Sequence, residues 1–375
     1  MSSGPQADSE NRSAPRETVY VITANAAHLE ELKKALMSFY VVRTFNDVGA
    51  ALALTLQVPP TAVVLDEAIL TGKPSEMLVQ MGKHDATQKV PIVFTIKKGH
   101  VGLYLSDIGR DCITCLEKPY KRSDLVNAIS KQVNKQVEKS WETIEPVQKQ
   151  ALVNTLQSFN SIADLIDDGA PVPYDKVKDS CQPLVQAISA GTYKDLLKGV
   201  RGHDNYSYVH SLRVATFLSL FGANLGIKGE ELMTLSTGGL LHDVGKMQIP
   251  HEVLNKPGRL SDDEFGVMKS HVTKTSDFLA LTEHLPEGVI IIAEQHHEKL
   301  DGSGYPKGLK NGQLNELARM ASIIDVFGAL TDRRVYKDPM PPEKALDIMA
   351  DMKGHLDQHF LYLFREMLLD AATTD

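Results

Sequence analysis

The sequence has few cysteines, no long apolar run and no excess of positive charge. Its three cysteines, Cys112, Cys115 and Cys181, are too few for a disulfide scaffold and are typical of a reducing compartment. No apolar run approaches the 18 or so residues of a membrane span, and the first residues lack the regions of a secretory signal. The net charge of −8 argues against DNA binding through overall positive charge. We therefore expect a cytoplasmic protein with no membrane span and no DNA partner.

The first half of the sequence shows two kinds of segment. Residues 1–17 are polar and contain two prolines, so we expect a disordered tail. From residue 18, short apolar runs alternate with amphipathic segments. The predicted strands are 19–23, 40–45, 61–66, 91–96 and 112–117, with helices near 27–38 and 47–57. This alternation predicts an α/β domain over residues 18–133 with a flavodoxin-like parallel sheet.

The ends of the predicted strands carry chemically informative residues. The third strand ends at Asp66, and Lys118-Pro119 follows the last strand. On these residues the domain resembles the receiver domain of two-component response regulators, in which Asp66 would be the phospho-acceptor. Receivers end their first strand with an acidic pair that holds magnesium, whereas this chain reads Ile22-Thr23-Ala24-Asn25. Without those carboxylates a divalent cation loses its oxygen ligands, so we expect a degenerate receiver that serves as a docking or dimerisation module.

The remainder of the chain is predicted to be helical. Helices are expected over 123–138, 145–167, 174–189, 209–227 and 231–247. The first begins with Ser123-Asp124 as a plausible N-cap and meets no breaker. It would close the receiver-like domain and continue into a helical connector over 134–165. An all-α domain over 166–375 would follow.

Histidine is concentrated in this helical half. Eight of the 13 histidines lie within a stretch of fewer than 100 residues: His203, His210, His242, His251, His271, His284, His296 and His297. Titratable groups on a helix that faces a core are costly unless they are paired or metal-bound. A lone buried histidine is more often a hydrogen-bonded core residue, and we interpret His203, His251 and His284 in that way.

The other histidines occur with carboxylates in a pattern that favours metal binding. His242-Asp243 lies near the end of an apolar helix, His296-His297 precedes a glycine-rich loop, and Asp325 lies on a further apolar helix. Together with His210 and His271 they supply five imidazoles and two carboxylates from separate segments. This set is sufficient for two metal ions with positions left for water and substrate.

Two continuous motifs identify a family for this half. They are His242-Asp243-Val244-Gly245-Lys246 followed by Ile249-Pro250, and His296-His297-Glu298-Lys299-Leu300-Asp301-Gly302-Ser303-Gly304-Tyr305-Pro306. They resemble the two signatures of the HD-GYP family, a branch of the HD superfamily of metal-dependent phosphohydrolases. The resemblance extends from about residue 200 to 345. It implies an all-helical domain that hydrolyses cyclic di-GMP to pGpG, and often on to GMP, behind a receiver domain.

The resemblance also implies roles for individual residues. One metal would be held by His210, His242, Asp243 and Asp325, and the other by His271, His296 and His297, with Asp243 bridging the two and a bridging hydroxide as the nucleophile. Lys246, one turn after Asp243, would contact a phosphate. Tyr305, Arg334 and Lys337 would contact substrate. The loop of Asp301, Gly302, Gly304, Tyr305 and Pro306 would shape the rim of the site, and in the family it is linked to docking of GGDEF diguanylate cyclases.

Two departures from the family pattern affect these expectations. Members with a third metal carry a glutamate shortly before the first histidine, where this chain has Asn205, so we expect two metals. The family usually has aspartate where Gly328 stands, and we expect its loss to weaken nucleotide binding or change base preference. The resemblance favours iron or manganese, although imidazole and carboxylate ligands also suit zinc, nickel and cobalt.

Two alternatives to the cyclic di-GMP phosphodiesterase stay open. One is a catalytically weak sensor or scaffold that binds cyclic di-GMP and reports its level to a partner. The other is a phosphodiesterase for another cyclic dinucleotide such as 3′,3′-cyclic GMP-AMP. The amphipathic connector also makes a homodimer plausible.

Overall fold

The computed structural model describes residues 18–37, 39–104, 111–200, 203, 206–254, 256, 258–332 and 340–373. The expected tail over residues 1–17 lies outside them. The described residues form an α/β half followed by a helical half.

The α/β half is built on a five-stranded parallel sheet. Its strands are β1 (Thr18–Ile22), β2 (Val41–Phe45), β3 (Ala62–Asp66), β4 (Ile92–Lys97) and β5 (Ile113–Lys118). Each begins and ends within one residue of its predicted position. The strand order β2-β1-β3-β4-β5 is the flavodoxin-like order, so the predicted fold class is confirmed.

Helices cover both faces of this sheet. They are α1 (Ala26–Leu36), α2 (Val48–Gln57), α3 (Pro74–Lys83) and α4 (Arg122–Val133). One face packs its apolar side chains with α2 and α3, and the other packs with α1 and α4. Because the sheet is parallel, the carboxyl ends of β1, β3 and β5 lie at one edge, which brings Thr23, Asp66 and Lys118 together.

The predicted helix over 123–138 is wrong in two details. Helix α4 begins at Arg122, and its N-cap is Lys121, whose N–H donates to the Asp124 carboxylate at 3.0 Å. It ends at Val133 because Asn134 leaves the helical conformation, with φ −89° and ψ 6°, and its side-chain amide donates to Ser130 O at 3.0 Å.

The helical half contains the remaining helices of the described residues. They are α5 (Lys135–Ser140), α6 (Pro146–Asp168), α7 (Tyr174–Ser189), α8 (Lys194–Gly199), α9 (Tyr206–Asn224), α10 (Gly229–Leu241), α11 (His251–Leu254), α12 (Asp262–Leu279), α13 (Glu287–Gln295), α14 (Glu316–Thr331), α15 (Pro342–Ala350) and α16 (Gln358–Thr373). Helices α6 and α7 lie within one residue of their predicted positions. None of the helices that the structure describes is both long enough and apolar enough to span a bilayer.

Helix α6, which falls largely in the predicted connector, packs into the helical half. Its Leu152 and Phe159 are fully buried in one apolar cluster with Tyr208 of α9 and Leu240 of α10. The helix ends at Gly169, which takes the left-handed conformation at φ 60°, as is common after a helix. The segment named a connector therefore contributes to the core around the candidate site.

Candidate metal centre

Five segments of the helical half converge on one buried site. His210 lies on α9, His242-Asp243 at the end of α10, His271 on α12, His296-His297 at the end of α13 and Asp325 on α14. The structure thus brings together all seven residues that the sequence analysis proposed as metal ligands. They form two sets of four, each with one ligand atom per residue within 4.8 Å of the others: Asp243, His271, His296 and His297; and His210, His242, Asp243 and Asp325.

Asp243 belongs to both sets, and its two oxygens face different histidines. Oδ1 lies 3.1 Å from Nε2 of His271 and 3.6 Å from Nε2 of His296. Oδ2 lies 3.2 Å from Nε2 of His242 and 3.6 Å from Nε2 of His210. A carboxylate placed in this way can serve two cations at once, whereas a neutral imidazole serves one.

Asp325 also faces both sets. Its Oδ1 lies 2.9 Å from Nε2 of His210, and its Oδ2 lies 3.7 Å from Nδ1 of His297. The family resemblance implied a role for Asp325 in the first set alone. Its second oxygen gives it a geometry similar to that of Asp243.

Backbone carbonyls fix the orientation of three imidazoles. Nδ1 of His242 donates to Gly239 O at 2.7 Å, Nδ1 of His271 to Met268 O at 2.6 Å, and Nδ1 of His296 to Ala293 O at 3.0 Å. Each acceptor lies one helical turn earlier in the chain. With the proton on Nδ1, the Nε2 lone pair points into the site.

The atoms that point into the site lack hydrogen-bond partners among the described residues. They are Nε2 of His242, Nε2 of His271, Nε2 of His296 and Oδ1 of Asp243. Buried polar atoms are ordinarily paired, and leaving one unpaired costs about 1–3 kcal/mol. Imidazole nitrogens and a carboxylate oxygen that converge without hydrogen-bond partners match the ligand chemistry of divalent transition metals. The residues therefore fit a bound metal.

The charges of the site set the ionisation of its ligands. Burial raises the pKa of Asp243, but Lys246 and His242 more than offset it, so the pKa lies well below the usual range. Burial and the neighbouring His296 hold the pKa of His297 well below its usual value. Asp243 is therefore ionised and His297 neutral, the states that bind metal. Burial lowers the pKa of His242, but Asp243 and Asp325 raise it to about 9, so His242 must release a proton when it binds a cation.

Lys246 lies in a 3₁₀ turn, Val244–Gln248, that follows α10. Its Nζ contacts Oδ2 of Asp243 three residues earlier, and its side chain is partly exposed. Gly245 allows this turn to lie against α12, because a Cβ at that position would stand 2.2 Å from His271 O. Lys246 thus places a positive charge at the mouth of the site, and its contact with a phosphate stays a prediction.

The loop over residues 301–306 lies beside the second ligand set. The Tyr305 ring centre is 4.8 Å from that of His297, and its N–H donates to His297 O at 3.2 Å. A Cβ on Gly304 would stand 2.5 Å from Cα of Glu298, so glycine is required for this close approach. Asp301 accepts from Ser303 N at 2.9 Å and belongs to neither ligand set.

Glu298 is a structural residue whose role the sequence analysis missed. It is 1% exposed, and its carboxylate accepts from Lys307 N at 2.6 Å and from Leu309 N at 2.9 Å. Its position directly after His296-His297 was visible in the motif. Its two acceptor contacts to the far side of the loop were not.

The remaining residues named from the sequence lie away from the two ligand sets or outside the described residues. His203 is buried and stacks on Trp141 with ring centres 6.1 Å apart, which supports a packing role. His284 is exposed at φ 59°, so its interpretation as a core histidine was wrong. Arg334, Lys337, Asn205 and the His251 side chain lie outside what the structure describes.

The receiver-like half holds Asp66 in a closed network. Its Oδ2 accepts from Thr23 Oγ1 at 2.9 Å and lies 2.6 Å from Nδ1 of His28. Its Oδ1 accepts from Lys118 Nζ at 2.6 Å and from Ala68 N at 3.1 Å. Burial raises the pKa of Asp66, but His28 and Lys118 bring it down to about 2. The predicted Lys118 contact is present, and both oxygens are engaged.

The helical half matches a family model described as HD domain over residues 193–360. A cyclic di-GMP phosphodiesterase of Pseudomonas aeruginosa is 36% identical over 186 residues, 48% of this chain and 45% of that protein. A 3′3′-cGAMP-specific phosphodiesterase of Vibrio cholerae is 35% identical over 146 residues, 39% of this chain and 32% of that protein. A protein of the same species named "Probable cyclic di-GMP phosphodiesterase" is 26% identical over 356 residues, 91% of this chain and 75% of that protein.

The matches with the first two relatives cover less than half of this chain and less than half of each relative's own length. The match with the third covers both halves of this chain. Over residues 193–360 the helical half is therefore similar to the HD domain family, and in that stretch it carries the two ligand sets that share Asp243.

Proposed function

We propose that this chain is a metal-dependent phosphodiesterase that hydrolyses cyclic di-GMP to pGpG, with GMP as the alternative end product. The observation that carries the proposal is the pair of buried ligand sets that share Asp243. The names of the similar proteins support a cyclic dinucleotide as the substrate class.

The two ligand sets would hold two divalent cations per chain. His210, His242, Asp243 and Asp325 would hold one, and Asp243, His271, His296 and His297 would hold the other. Two such cations, when bound, supply the positive charge that neutralises a phosphodiester and lower the pKa of the attacking water. The ligand chemistry accepts iron, manganese, zinc, nickel and cobalt, and the family resemblance favours iron or manganese.

Lys246 and Tyr305 are the proposed substrate contacts within the described residues. The Lys246 ammonium, held by Asp243 at the mouth of the site, can donate to a phosphate oxygen of the substrate. The Tyr305 ring beside His297 offers an aromatic face on which a nucleobase can stack. Arg334 and Lys337 stay proposals from the sequence.

A phosphodiesterase for 3′,3′-cyclic GMP-AMP is the second candidate. The relative that is named specific for 3′3′-cGAMP and is 35% identical over 146 residues favours it. A nucleotide sensor with slow turnover is the third. Both use the same metal centre. The second candidate differs from the first in its substrate, and the third differs in that it releases product only slowly.

The first experiment measures turnover by protein loaded anaerobically with iron or manganese. Cyclic di-GMP and 3′,3′-cyclic GMP-AMP are supplied separately, and chromatography resolves the products. We expect cyclic di-GMP to be hydrolysed faster, with about two metals per chain. Asp243→Ala should lower turnover by at least about 100-fold because both ligand sets lose a member. Asp277→Ala, an exposed aspartate on α12, is the matched control and should retain activity.

The outcomes separate the three candidates. Faster hydrolysis of 3′,3′-cyclic GMP-AMP would support the second. Binding of metal and nucleotide without turnover would support the sensor. Absence of both metal binding and turnover in the unmodified chain would overturn the proposal as a whole.

The proposal also covers the phosphorylation of Asp66 in the receiver-like half and two protein partners. We infer that Asp66 is phosphorylated poorly or not at all, since four donors already occupy its oxygens and the acidic pair is missing. Docking of a GGDEF diguanylate cyclase on the loop over 301–306 is proposed from the family resemblance. A homodimer is a further proposal, and because α6 buries its apolar residues within the chain, the contact would use another surface.

A further inference from the structure

Asp332, which was absent from the predicted site, touches a proposed metal ligand. It follows α14 directly, is 4% exposed, and its Oδ2 lies 2.9 Å from Nδ1 of His210. We propose that Asp332 is a positioning residue that orients His210 for metal binding, and that glycine at position 328 leaves open the space in which the Asp332 carboxylate lies. The inference rests on the metal centre of the proposed function.

His210 differs from the other oriented histidines in the partner of its Nδ1. His242, His271 and His296 each donate to a neutral backbone carbonyl. His210 instead pairs with a carboxylate, while its Nε2 faces Asp325 at 2.9 Å. A carboxylate on the far nitrogen fixes the tautomer and makes the ligating nitrogen more basic than a carbonyl does. In its ligand set, His210 is therefore oriented by a charged carboxylate, whereas His242 is oriented by a neutral carbonyl.

The backbone at the end of α14 explains how Asp332 reaches His210. The N–H of Asp332 still donates to Gly328 O at 2.7 Å, as in a helix. At Asp332 itself the chain turns to an extended conformation, with φ −75° and ψ 144°. The side chain therefore lies over the preceding turn, above Gly328.

The space above Gly328 is what admits the Asp332 carboxylate. A Cβ at position 328 would stand 3.3 Å from Cε1 and 3.4 Å from Nδ1 of His210, and 3.7 Å from Oδ2 of Asp332. A Cβ alone would be in ordinary contact with this oxygen, but a longer side chain at position 328 would compete with the Asp332 carboxylate for the space beside His210. An aspartate at position 328 or at position 332 could therefore place its carboxylate beside the imidazole of His210. The expectation that the loss of aspartate at position 328 weakens nucleotide binding or changes base preference stays a prediction.

Arg213 holds the second oxygen of Asp332. It lies one turn after His210 on α9, its Nε contacts Oδ1 of Asp332, and its Nη2 donates to Thr331 Oγ1 at 3.1 Å. The guanidinium limits the rotation of the carboxylate. Asp332 is thereby held between Arg213 and His210 with both oxygens engaged.

The test measures metal binding with Mn²⁺ alone, on the full chain, by equilibrium titration and metal analysis. The unmodified chain should bind about two ions. Asp332→Asn keeps the size of the side chain but removes its charge, and we expect one of the two sites to weaken by about 10- to 100-fold. Asp277→Asn, the same change at an exposed position, should leave both sites unchanged. Circular dichroism checks that each variant is folded.

A second-site rescue separates positioning from a general structural role. The double variant Gly328→Asp with Asp332→Ala returns a carboxylate to His210 from the preceding turn. We expect it to bind the weakened ion at least about tenfold more tightly than Asp332→Ala alone. Unchanged affinity in Asp332→Asn, or a folded double variant no better than the single one, would overturn the inference. A chain that binds no Mn²⁺ in any form would overturn the proposed function as well.

Discussion

The Asp66 carboxylate is held by donors from three separate segments of the α/β half. Thr23 follows β1, His28 lies on α1 and Lys118 ends β5. Because these donors hold its pKa at about 2 against an ordinary 3.8, Asp66 contributes roughly 2.5 kcal/mol of stability at neutral pH. The folded pKa is lowered, so this stability is complete above about pH 4 and is lost as the pH falls toward 2.

Asp66→Asn should therefore lower the free energy of unfolding of the α/β half by about 2.5 kcal/mol at pH 7. The difference from the unmodified chain should shrink as the pH falls from about 4 to 2. Hydrogen exchange of β3 and β4 amides at several urea concentrations measures it. Asp85→Asn, at an exposed position of the same half, is the control. A gap of constant size across this pH range would contradict the assignment.

At the scale of elements, the loop over 301–306 depends on one buried carboxylate. Glu298 accepts two backbone N–H groups, from Lys307 and Leu309. Glutamine at this position has one acceptor oxygen, so its amide nitrogen would face one of these N–H groups. Leaving a buried donor unpaired costs about 1–3 kcal/mol.

Glu298→Gln should therefore loosen the loop that carries Tyr305 without removing metal ligands. We expect faster hydrogen exchange over residues 302–309, a KM for the cyclic dinucleotide raised several-fold and an unchanged metal content. Glu294→Gln is the matched control, since Glu294 pairs with Lys307 Nζ at the surface. Loss of metal together with loop order would instead place Glu298 in the metal centre.

The strands could be predicted from the sequence because each is a short apolar run closed by a polar or turn residue. The same local reasoning failed at Asn134, since asparagine is only a weak helix breaker and its bond to Ser130 forms once α4 exists. The helices α6 and α7 were predictable because Gly169–Pro173 separates them.

The site shows the same division between local and tertiary information. The seven proposed metal ligands could be selected from the sequence because adjacent His-Asp and His-His pairs on apolar helices are costly without a metal. Asp332 gave no such signal, because its partner His210 lies 122 residues away. His28, 38 residues from Asp66, was missed for the same reason.

At the scale of the whole molecule, α4 joins the two halves directly. Ser123 N donates to the Asp164 carboxylate at 2.7 Å, and Asn160 donates to the side chain of Asn127 at 2.6 Å. Arg122 contacts segments of both halves. It donates to Ala35 O at the end of α1 at 3.3 Å, and it pairs with Asp167 of α6 at 3.2 Å.

The remaining Arg122 nitrogen contacts the 3₁₀ turn Val244–Gln248, which carries Lys246. Its Nη2 donates at 3.3 Å to the carbonyl of Met247, the residue after Lys246, and the side chain is 7% exposed. One guanidinium thus ties the receiver-like half to the 3₁₀ turn that carries Lys246. A displacement of α1 or α4 relative to the helical half would act on that turn.

Arg122→Ala should release the turn while leaving the metal ligands in place. We expect faster hydrogen exchange over residues 244–248 and a several-fold change in kcat or KM at constant metal content. Lys131→Ala, an exposed lysine on the same helix, should change neither. Arg122→Lys should not restore the turn, because one ammonium cannot replace three directed N–H contacts. If exchange in the turn stays at the level of the unmodified chain, the two halves are joined at α4 and α6 without any connection to the metal centre.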